Sequence, residues 1–290
     1  MTKARNDVVV AYSFLAPALF VYVAFMLYPF LSGIVLSLYS WNGVSPRRFL
    51  GLENYVRLAS DSRFLAALWH NVLYAVGSVA GKIVLGFIFA LLLNARIRGM
   101  SIYRTLYFTP VVMSFVAVGL LWRWIYNPVF GLFDFLLQSA GLTHKPVGWM
   151  SDPRIALWSV VLADIWKWTG YHTVIFLAGL QTIPLELYEA AVVDGASFLR
   201  RVVNITLPGI RQISIINITI ALMGAFSVFD PVYVITGGGP YNSSEVVLTY
   251  MYLRTFQQQE LGYGTAMVVV LFAVVILISL WQQRFTRERL

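Results

Sequence analysis

The side chains with the greatest capacity for chemistry cluster within one apolar stretch, between residues 164 and 172. They are one carboxylate, several aromatic rings and an imidazole: Asp164, Trp166, Trp168, Tyr171 and His172. In helical register Asp164, Trp168 and Tyr171 share a face. Aromatic faces stack on the C–H groups of sugars, and carboxylates accept hydrogen bonds from hydroxyls. This face could therefore bind a polyhydroxylated ligand, although Asp164 and Lys167 could instead neutralise each other one helical turn apart.

Other chemistries lack the residues or the spacing that they need. The chain has no cysteine, which excludes disulfides, thiol catalysis and cysteine-based zinc sites. Its histidines, His70, His144 and His172, are far apart and form no HExxH-type spacing. Residues 77–82 resemble a phosphate-binding loop only superficially, because the spacing of the glycines is one residue short and Ile83 replaces the magnesium-holding Ser or Thr. We predict no catalytic residue, no metal site and no cofactor on this chain.

The composition indicates a membrane protein. Of 290 residues, 59% are hydrophobic and 12% are charged, whereas soluble domains average about 45–50% and about 25%. A soluble enzyme is therefore excluded. The net charge of +8 is not gathered into a basic patch, so a nucleic-acid partner is not expected either.

Six stretches are long and apolar enough to cross a bilayer as helices. We predict an all-α, polytopic membrane protein with about six transmembrane helices at residues 12–39, 72–94, 106–126, 155–181, 213–235 and 265–282. Within the second stretch, Gly77 and Gly81 form a small-xxx-small pattern that favours close helix packing.

The distribution of basic residues predicts the orientation. Lysine and arginine are about twice as dense in segments 1–9, 95–105, 182–212 and 282–290 as in segments 41–71, 127–155 and 237–264. Both termini are then cytoplasmic. We expect a cytoplasmic N-terminal segment at residues 1–11 and a single transmembrane domain at residues 12–290, because no loop is long enough for a second domain.

Residues 182–212, here the connecting segment, join the fourth and fifth stretches. The residue pattern of this segment predicts a helix that begins near Pro184, a break at Gly195 and a second short helix that ends at Pro208. The apolar residues of this segment are numerous for a connector that faces water. Such a helix pair needs a protein partner, although an amphipathic helix on the membrane surface would show the same pattern.

The connecting segment resembles the signature of permease subunits of binding-protein-dependent ABC importers. The matching positions are Glu189, Ala190, Ala191, Asp194, Gly195, Ala196, Phe198, Ile205, Leu207 and Pro208. Val202 and Ile213 depart from what many members carry. The resemblance implies the type I importer fold, and it implies that this segment is the coupling helix that docks on a cytosolic ATPase.

Three further stretches resemble the carbohydrate branch of these permeases: residues 51–55, the fourth apolar stretch, and residues 229–240, which end in Thr-Gly-Gly-Gly-Pro. They imply uptake of an oligosaccharide or glycoside, with glycerol phosphate or another polyol as the alternative. The implied substrate pathway comprises Ser114, Phe115, Asp164, Trp168, Tyr171, Asn217, Ser227 and Val228. We interpret Asp230 first as structural. Lys82 could reach the membrane surface, pair with an acid or face the pathway.

The resemblance also implies the partners and the location. They are a second, different permease subunit, two cytosolic ATPase subunits that hold ATP and magnesium, an extracytoplasmic solute-binding protein and the lipid bilayer of a bacterial or archaeal cytoplasmic membrane. An ion-coupled secondary transporter is the rival. It would need ion ligands within the spans and often shows inverted repeats, whereas Asp164 is the clear intramembrane acid and no repeat is evident.

Overall fold

The computed structural model describes residues 2–94 and 100–287, and this part of the chain is mostly helical. Among the basic residues used for orientation, Arg96, Arg98 and Arg289 lie outside the described residues, so the orientation stays a prediction. The elements are α1 (Thr2–Tyr22), α2 (Tyr28–Leu36), β1 (Tyr39–Ser40), β2 (Arg48–Phe49), α3 (Glu53–Ser60), α4 (Ser62–Asn94), α5 (Met100–Val112), α6 (Phe115–Ile125), α7 (Leu132–Ser139), α8 (Ala156–Leu180), α9 (Leu185–Val193), α10 (Phe198–Arg201), α11 (Leu207–Gly209), α12 (Arg211–Phe226), α13 (Asp230–Ile235), α14 (Val247–Tyr252) and α15 (Leu261–Arg287).

Short π-helical turns continue three of these helices, at Val23–Leu27, Val202–Thr206 and Leu253–Gln257. The strands β1 and β2 pair antiparallel, with Tyr39 opposite Phe49.

Among the described residues, three stretches are long and apolar enough to cross a membrane alone: Tyr12–Leu36, Ser62–Asn94 and Leu261–Gln282. Three pairs of helices meet the same criterion together but are bent between their halves. The bends are 107° between Thr105–Val112 and Phe115–Ile125, 74° between Ala156–Leu180 and Leu185–Val193, and 73° between Phe198–Gly209 and Arg211–Phe226. Counting each pair as one span gives up to six, the predicted number.

The structure corrects several predicted boundaries. The second predicted stretch began at residue 72, but α4 begins at Ser62. The third stretch is broken after Val112, because Ser114 is extended and its hydroxyl accepts a hydrogen bond from the Ala117 amide to begin α6. The fifth is also broken, since α12 ends at Phe226 and α13 begins at Asp230. Hydropathy alone does not reveal such breaks, because the apolar composition continues through them.

Contacts group the chain into two compact units, residues 1–64 with 251–273 and residues 65–250 with 274–290. The single domain predicted for residues 12–290 stays a prediction. In the first unit, the Asn54 amide donates hydrogen bonds to the carbonyls of Ser37 (2.7 Å) and Tyr39 (3.1 Å). Arg57 forms an ion pair with Glu260 at 3.0 Å. These contacts fasten α3 to the strand pair and to the start of α15.

In the second unit, glycines let the helices approach closely. A Cβ at Gly77 would lie 2.6 Å from the Trp158 ring, and one at Gly81 would collide with Ile165, so α4 packs directly on α8. This confirms the close packing that the small-xxx-small pattern predicted. Gly170 of α8 lies against the backbone carbonyl of Tyr107 in α5, and Gly119 of α6 lies against Val234 of α13.

A buried cluster joins the ends of α4 and α8 to the junction of α11 with α12. Its fully buried members are Ala90, Phe176, Leu177, Leu180 and Ile210. Packing continues beside it, because a Cβ at Gly209 would lie 2.8 Å from Ile183, and one at Gly179 would lie 2.8 Å from Ile213. Both ends of the connecting segment are therefore anchored on the same core.

Gly170→Ala should destabilise the second unit by about 1–3 kcal/mol, because the added methyl group would meet a backbone carbonyl that cannot move without displacing α5. Thermal unfolding of the detergent-solubilised protein measures the loss. The control is Gly224→Ala on α12, where no atom lies within 4 Å of the added Cβ and alanine favours the helix. Equal melting temperatures for the two variants would contradict the close packing.

Candidate functional site

A cavity of about 410 Å³ opens within the second unit, between α4, α6, α8 and the break that separates α12 from α13. Six of the eight predicted pathway residues line it: Phe115, Asp164, Trp168, Tyr171, Ser227 and Val228. The remaining two do not. Ser114 caps α6, and Asn217 is buried between helices. The wall also includes Tyr74, Lys82 and Asp230, which were not in the predicted pathway.

Asp164 is held by α4. Its carboxylate accepts a hydrogen bond from the Ser78 hydroxyl at 2.5 Å and forms an ion pair with the Lys82 ammonium at 2.8 Å. Both charged side chains are buried. Tyr74, Ser78 and Lys82 follow one another at four-residue intervals, so they lie on one face of α4. Of the possibilities left open for Lys82, the structure shows pairing with an acid from another helix.

Lys167 is not the partner of Asp164. Its ammonium donates to the carbonyls of Pro110 (3.1 Å), Val111 (3.1 Å) and Met113 (2.6 Å). These carbonyls lie at the C-terminal end of α5, where the helix leaves its last carbonyl groups without intrahelical partners. A cation is favoured at that end of a helix. Lys167 therefore stabilises the break in the third span and joins it to α8.

The same ammonium lies beside the aromatic wall of the cavity. It is 4.8 Å from the centroid of the Phe115 ring and 5.1 Å from that of Trp168. These two rings are 6.1 Å apart, and Trp168 meets Tyr171 edge to face at 5.8 Å. The rings thus form one continuous apolar surface on α6 and α8, suitable for stacking against a ring of a ligand.

His172 and Asn217 link α8 to α12. The His172 Nδ1 atom is hydrogen-bonded to the Asn217 side-chain oxygen at 2.6 Å, and the Asn217 amide donates to the His172 carbonyl at 3.2 Å. Both side chains are buried. The imidazole of His172 therefore has a hydrogen-bond partner inside the protein. Asn217 therefore joins α12 to α8 and does not itself line the cavity.

The connecting segment folds as a helix, a glycine turn and a second helix. Pro184 precedes α9, and Gly195 adopts a left-handed φ of +71°, which glycine tolerates without strain. Ser197 then caps α10 by accepting a hydrogen bond from the Arg200 amide. The Tyr188 and Thr206 hydroxyls are hydrogen-bonded at 2.9 Å and tie α9 to the π-helical turn that continues α10. Pro208 lies within α11, and the helix ends one residue later at Gly209.

None of the residues of α9 is buried. Exposed apolar side chains continue through the segment, at Leu187, Val193, Phe198 and Leu199. Among the described residues no group of three or more His, Cys, Asp or Glu side chains could hold a metal ion.

Comparison with known proteins identifies the family of this chain. The family model described as "Binding-protein-dependent transport system inner membrane component" matches residues 82–290. The chain belongs to this family. As an inner membrane component of a binding-protein-dependent transport system, it is a multi-pass membrane protein, as predicted.

Curated relatives match this permease over nearly their whole length. It is 38% identical to the probable ABC transporter permease protein YurN of Bacillus subtilis (strain 168), over 97% of each chain. It is 33% identical to the trehalose/maltose transport system permease protein MalF of Thermococcus litoralis, over 96% of this chain and 94% of that protein. It is 34% identical to the lactose transport system permease protein LacF of Rhizobium radiobacter, over 95% of this chain and 93% of that protein.

A solved structure shows that the permease has the expected importer fold. A chain of a bacterial ABC transporter involved in the import of the acidic polysaccharide alginate superposes with a TM-score of 0.86, over 99% of this chain and 98% of that chain. Since their sequences are 23% identical, the likeness establishes the fold and leaves the ligand open.

Lys82→Met should destabilise the permease by about 3–5 kcal/mol, because it leaves the buried Asp164 carboxylate without its cation. The double variant Lys82→Met/Asp164→Leu should recover most of that loss, since it removes both charges from the interior. Thermal unfolding of the solubilised protein measures both. A double variant that is no more stable than Lys82→Met would show that the pair is not the main partner of Asp164.

Proposed function

We propose that this chain is a permease subunit of an ATP-driven importer for a sugar of the oligosaccharide or glycoside class. The observation that carries the proposal is the cavity between the spans, which combines an aromatic wall with polar groups. The family and the relatives named for trehalose/maltose and lactose transport support it. The membrane is the cytoplasmic membrane of a bacterium or archaeon, with both termini inside.

The chain itself catalyses no reaction in this proposal. A second, different permease subunit completes the pathway, and two cytosolic ATPase subunits bind ATP and magnesium. A solute-binding protein delivers the sugar at the outer face, near residues 237–264. Tyr241 in that region is 92% exposed, which leaves an aromatic ring free for contact with a partner.

The connecting segment is the surface that engages the ATPase. Val193, Phe198 and Leu199 are 87%, 64% and 69% exposed, and burial of such side chains against a partner is the main favourable contribution to association. The Tyr188–Thr206 bond and the turn at Gly195 keep the two short helices in a fixed arrangement. A rigid pair can transmit a rigid-body movement to the helices that it joins.

The mechanism is alternating access. ATP binding brings the ATPase subunits together and moves the connecting segment with them, and the helices around the cavity then open it toward one side and close it toward the other. The hydroxyl groups of the sugar exchange hydrogen bonds with water for hydrogen bonds with the polar groups of the wall. The C–H faces of the sugar stack on Trp168 and Phe115. These two rings are positioned by the same lysine, so the stacking surface is formed before the ligand arrives.

The proposal predicts ATP-dependent accumulation of neutral oligosaccharides in proteoliposomes that contain the complete complex and its binding protein. The probes are maltotriose, lactose and cellotriose, quantified inside the vesicles by mass spectrometry. A nonhydrolysable ATP analogue should abolish accumulation. Uptake that ignores the ATP analogue and collapses with a protonophore would favour an ion-coupled transporter.

Gly195→Val should uncouple ATP hydrolysis from uptake. A β-branched residue disfavours the left-handed backbone at this position, at a cost of about 1–2 kcal/mol, and would shift α10 relative to α9. The measurement is the ratio of sugar imported to ATP hydrolysed, which should fall severalfold.

The chain offers a matched control for this variant. Gly141 has a φ of +69°, and a Cβ there would meet no atom within 4 Å, as at Gly195. Gly141→Val therefore imposes a similar strain outside the connecting segment and should leave the ratio unchanged. Equal ratios for Gly195→Val and the wild-type complex would remove the connecting segment from the coupling role.

A further inference from the structure

Residues 41–60 join the first span to α4, and neither the cavity nor the connecting segment uses them. They contain residues 51–55, one of the stretches that resemble the carbohydrate branch of the family, and the helix α3. Gly51 has a left-handed φ of +58°, which turns the chain into α3 two residues later. The resemblance therefore falls on the entry to a short helix that lies between two spans.

Helix α3 has three faces of different character. Asn54 and Leu58 form its buried face. In helical register the exposed positions, with the N-cap residue included, divide into an apolar stripe of Leu52, Val56 and Ala59 and a polar stripe of Glu53, Arg57 and Ser60. Leu52 and Val56 are 68% and 69% exposed. A solvent-facing apolar stripe beside a polar one is typical of a helix that lies in a membrane surface.

The buried face fastens α3 to the end of the first span. The Asn54 amide donates to the carbonyls of Ser37 and Tyr39 at 2.7 and 3.1 Å, and the hydroxyls of Tyr55 and Ser37 are hydrogen-bonded at 2.6 Å. Ser37 directly follows the apolar stretch Tyr12–Leu36, which is long enough to cross a membrane. The helix is therefore held at the level where the chain leaves the bilayer.

Another span reaches its end beside the same helix. The Leu261 amide donates to the Trp41 carbonyl at 2.9 Å, and Leu261 is the first residue of the apolar stretch Leu261–Gln282. On α3, Arg57 pairs with Glu260 at 3.0 Å. Because α3 is bonded to the ends of two spans, its apolar stripe is continuous with the membrane-facing surface of this unit.

Basic side chains accompany the apolar stripe. Residues 41–64 and 251–262 carry five arginines and three acids, which leaves a net charge of +2. Arg47 and Arg48 are exposed, and within the described part of the chain neither pairs with an acid. The Arg47 guanidinium lies 4.4 Å from the centroid of the Trp41 ring. Tryptophan is enriched at membrane interfaces, and basic side chains there attract anionic headgroups.

We propose that residues 41–60 bind the membrane surface. Helix α3 lies among the headgroups with its apolar stripe toward the acyl chains, while Arg47 and Arg48 contact the phosphates of anionic lipids. Burial of the apolar stripe removes it from water, and the polar stripe stays hydrated. This contact fixes the depth of the span end to which Asn54 is bonded. In the predicted orientation the surface is the outer one, where a solute-binding protein is the rival occupant.

Spin labels can measure the depth of α3, because the chain has no cysteine of its own. Val56→Cys places a nitroxide on the apolar stripe, and Ser60→Cys places one on the polar stripe of the same helix. The complete complex is reconstituted in vesicles that contain phosphatidylglycerol, and the complex with the wild-type permease gives the background from the other subunits. Collision rates are measured with oxygen, which concentrates in hydrocarbon, and with a neutral nickel chelate, which stays in water.

The oxygen-to-nickel ratio at Val56→Cys should exceed that at Ser60→Cys severalfold, without any binding protein, because the two stripes face lipid and water. Equal ratios would overturn the proposal. So would a Val56→Cys label that is shielded from both reagents, or one that leaves water only when the solute-binding protein is added, since either result shows a protein contact. The measurement requires no transport, so its outcome is independent of the function proposed above.

The double variant Arg47→Gln/Arg48→Gln tests the contact with phosphates. In vesicles with phosphatidylglycerol it should lower the ratio at Val56→Cys to the value found in vesicles of phosphatidylcholine alone. Lys145→Gln/Arg154→Gln removes the same charge from exposed positions elsewhere in the chain and should leave the ratio unchanged. A ratio that is the same in both lipids, or that ignores Arg47 and Arg48, would overturn the phosphate contact.

Discussion

The structure depends on the need to satisfy charge inside an apolar environment. The helix α8 carries an acid and a base one turn apart, and neither can be left unpaired within a membrane without a large cost. Each finds its partner on a different element. Asp164 pairs with Lys82 of α4, and Lys167 binds the carbonyls that the end of α5 leaves open. These two interactions fasten α4 and the end of α5 to α8, beside the cavity.

The break in the third span follows from the same requirement. Backbone groups that leave a helix within a bilayer must be satisfied by the protein, so a 107° bend is stable only where a donor is available. Lys167 supplies that donor, and Ser114 begins the next helix by accepting the Ala117 amide. The bend then brings Phe115 to the cavity wall. A functional surface thus arises at the point where the span is interrupted, and the lysine that stabilises the interruption also positions its aromatic residue.

Much of this architecture could be predicted from the sequence, because it depends on local patterns. Apolar stretches located the spans, and the glycine spacing at Gly77 and Gly81 predicted the contact with α8 that the structure shows. Local spacing also marked α9 and α10, through Pro184 and Gly195. The helical face of Asp164, Trp168 and Tyr171 did line a cavity.

What the sequence could not resolve depends on contacts between distant residues. Asp164 had an attractive neighbour in Lys167, yet its partner is 82 positions earlier in the chain. That choice depends on how closely α4 approaches α8 and on the carbonyls that a break in another span exposes. The place of Asp230 on the cavity wall could not be predicted for a related reason. Its exposure follows from the end of α12 at Phe226, and composition does not mark that end because apolar residues continue on both sides.

The connecting segment is joined to the cavity without an intermediate. Its first helix, α9, continues from α8 through a 74° bend, and its last, α11, leads into α12 through a 73° bend. Both α8 and α12 contribute to the cavity wall, and both are tied to the segment by the buried cluster around Phe176 and Ile210. Because close-packed interiors move as units, a force on the exposed face of α9 and α10 acts on both walls at once. The His172–Asn217 bonds link these walls, so a displacement that separates them must break a buried polar contact. We therefore expect the cavity to change between discrete arrangements rather than continuously.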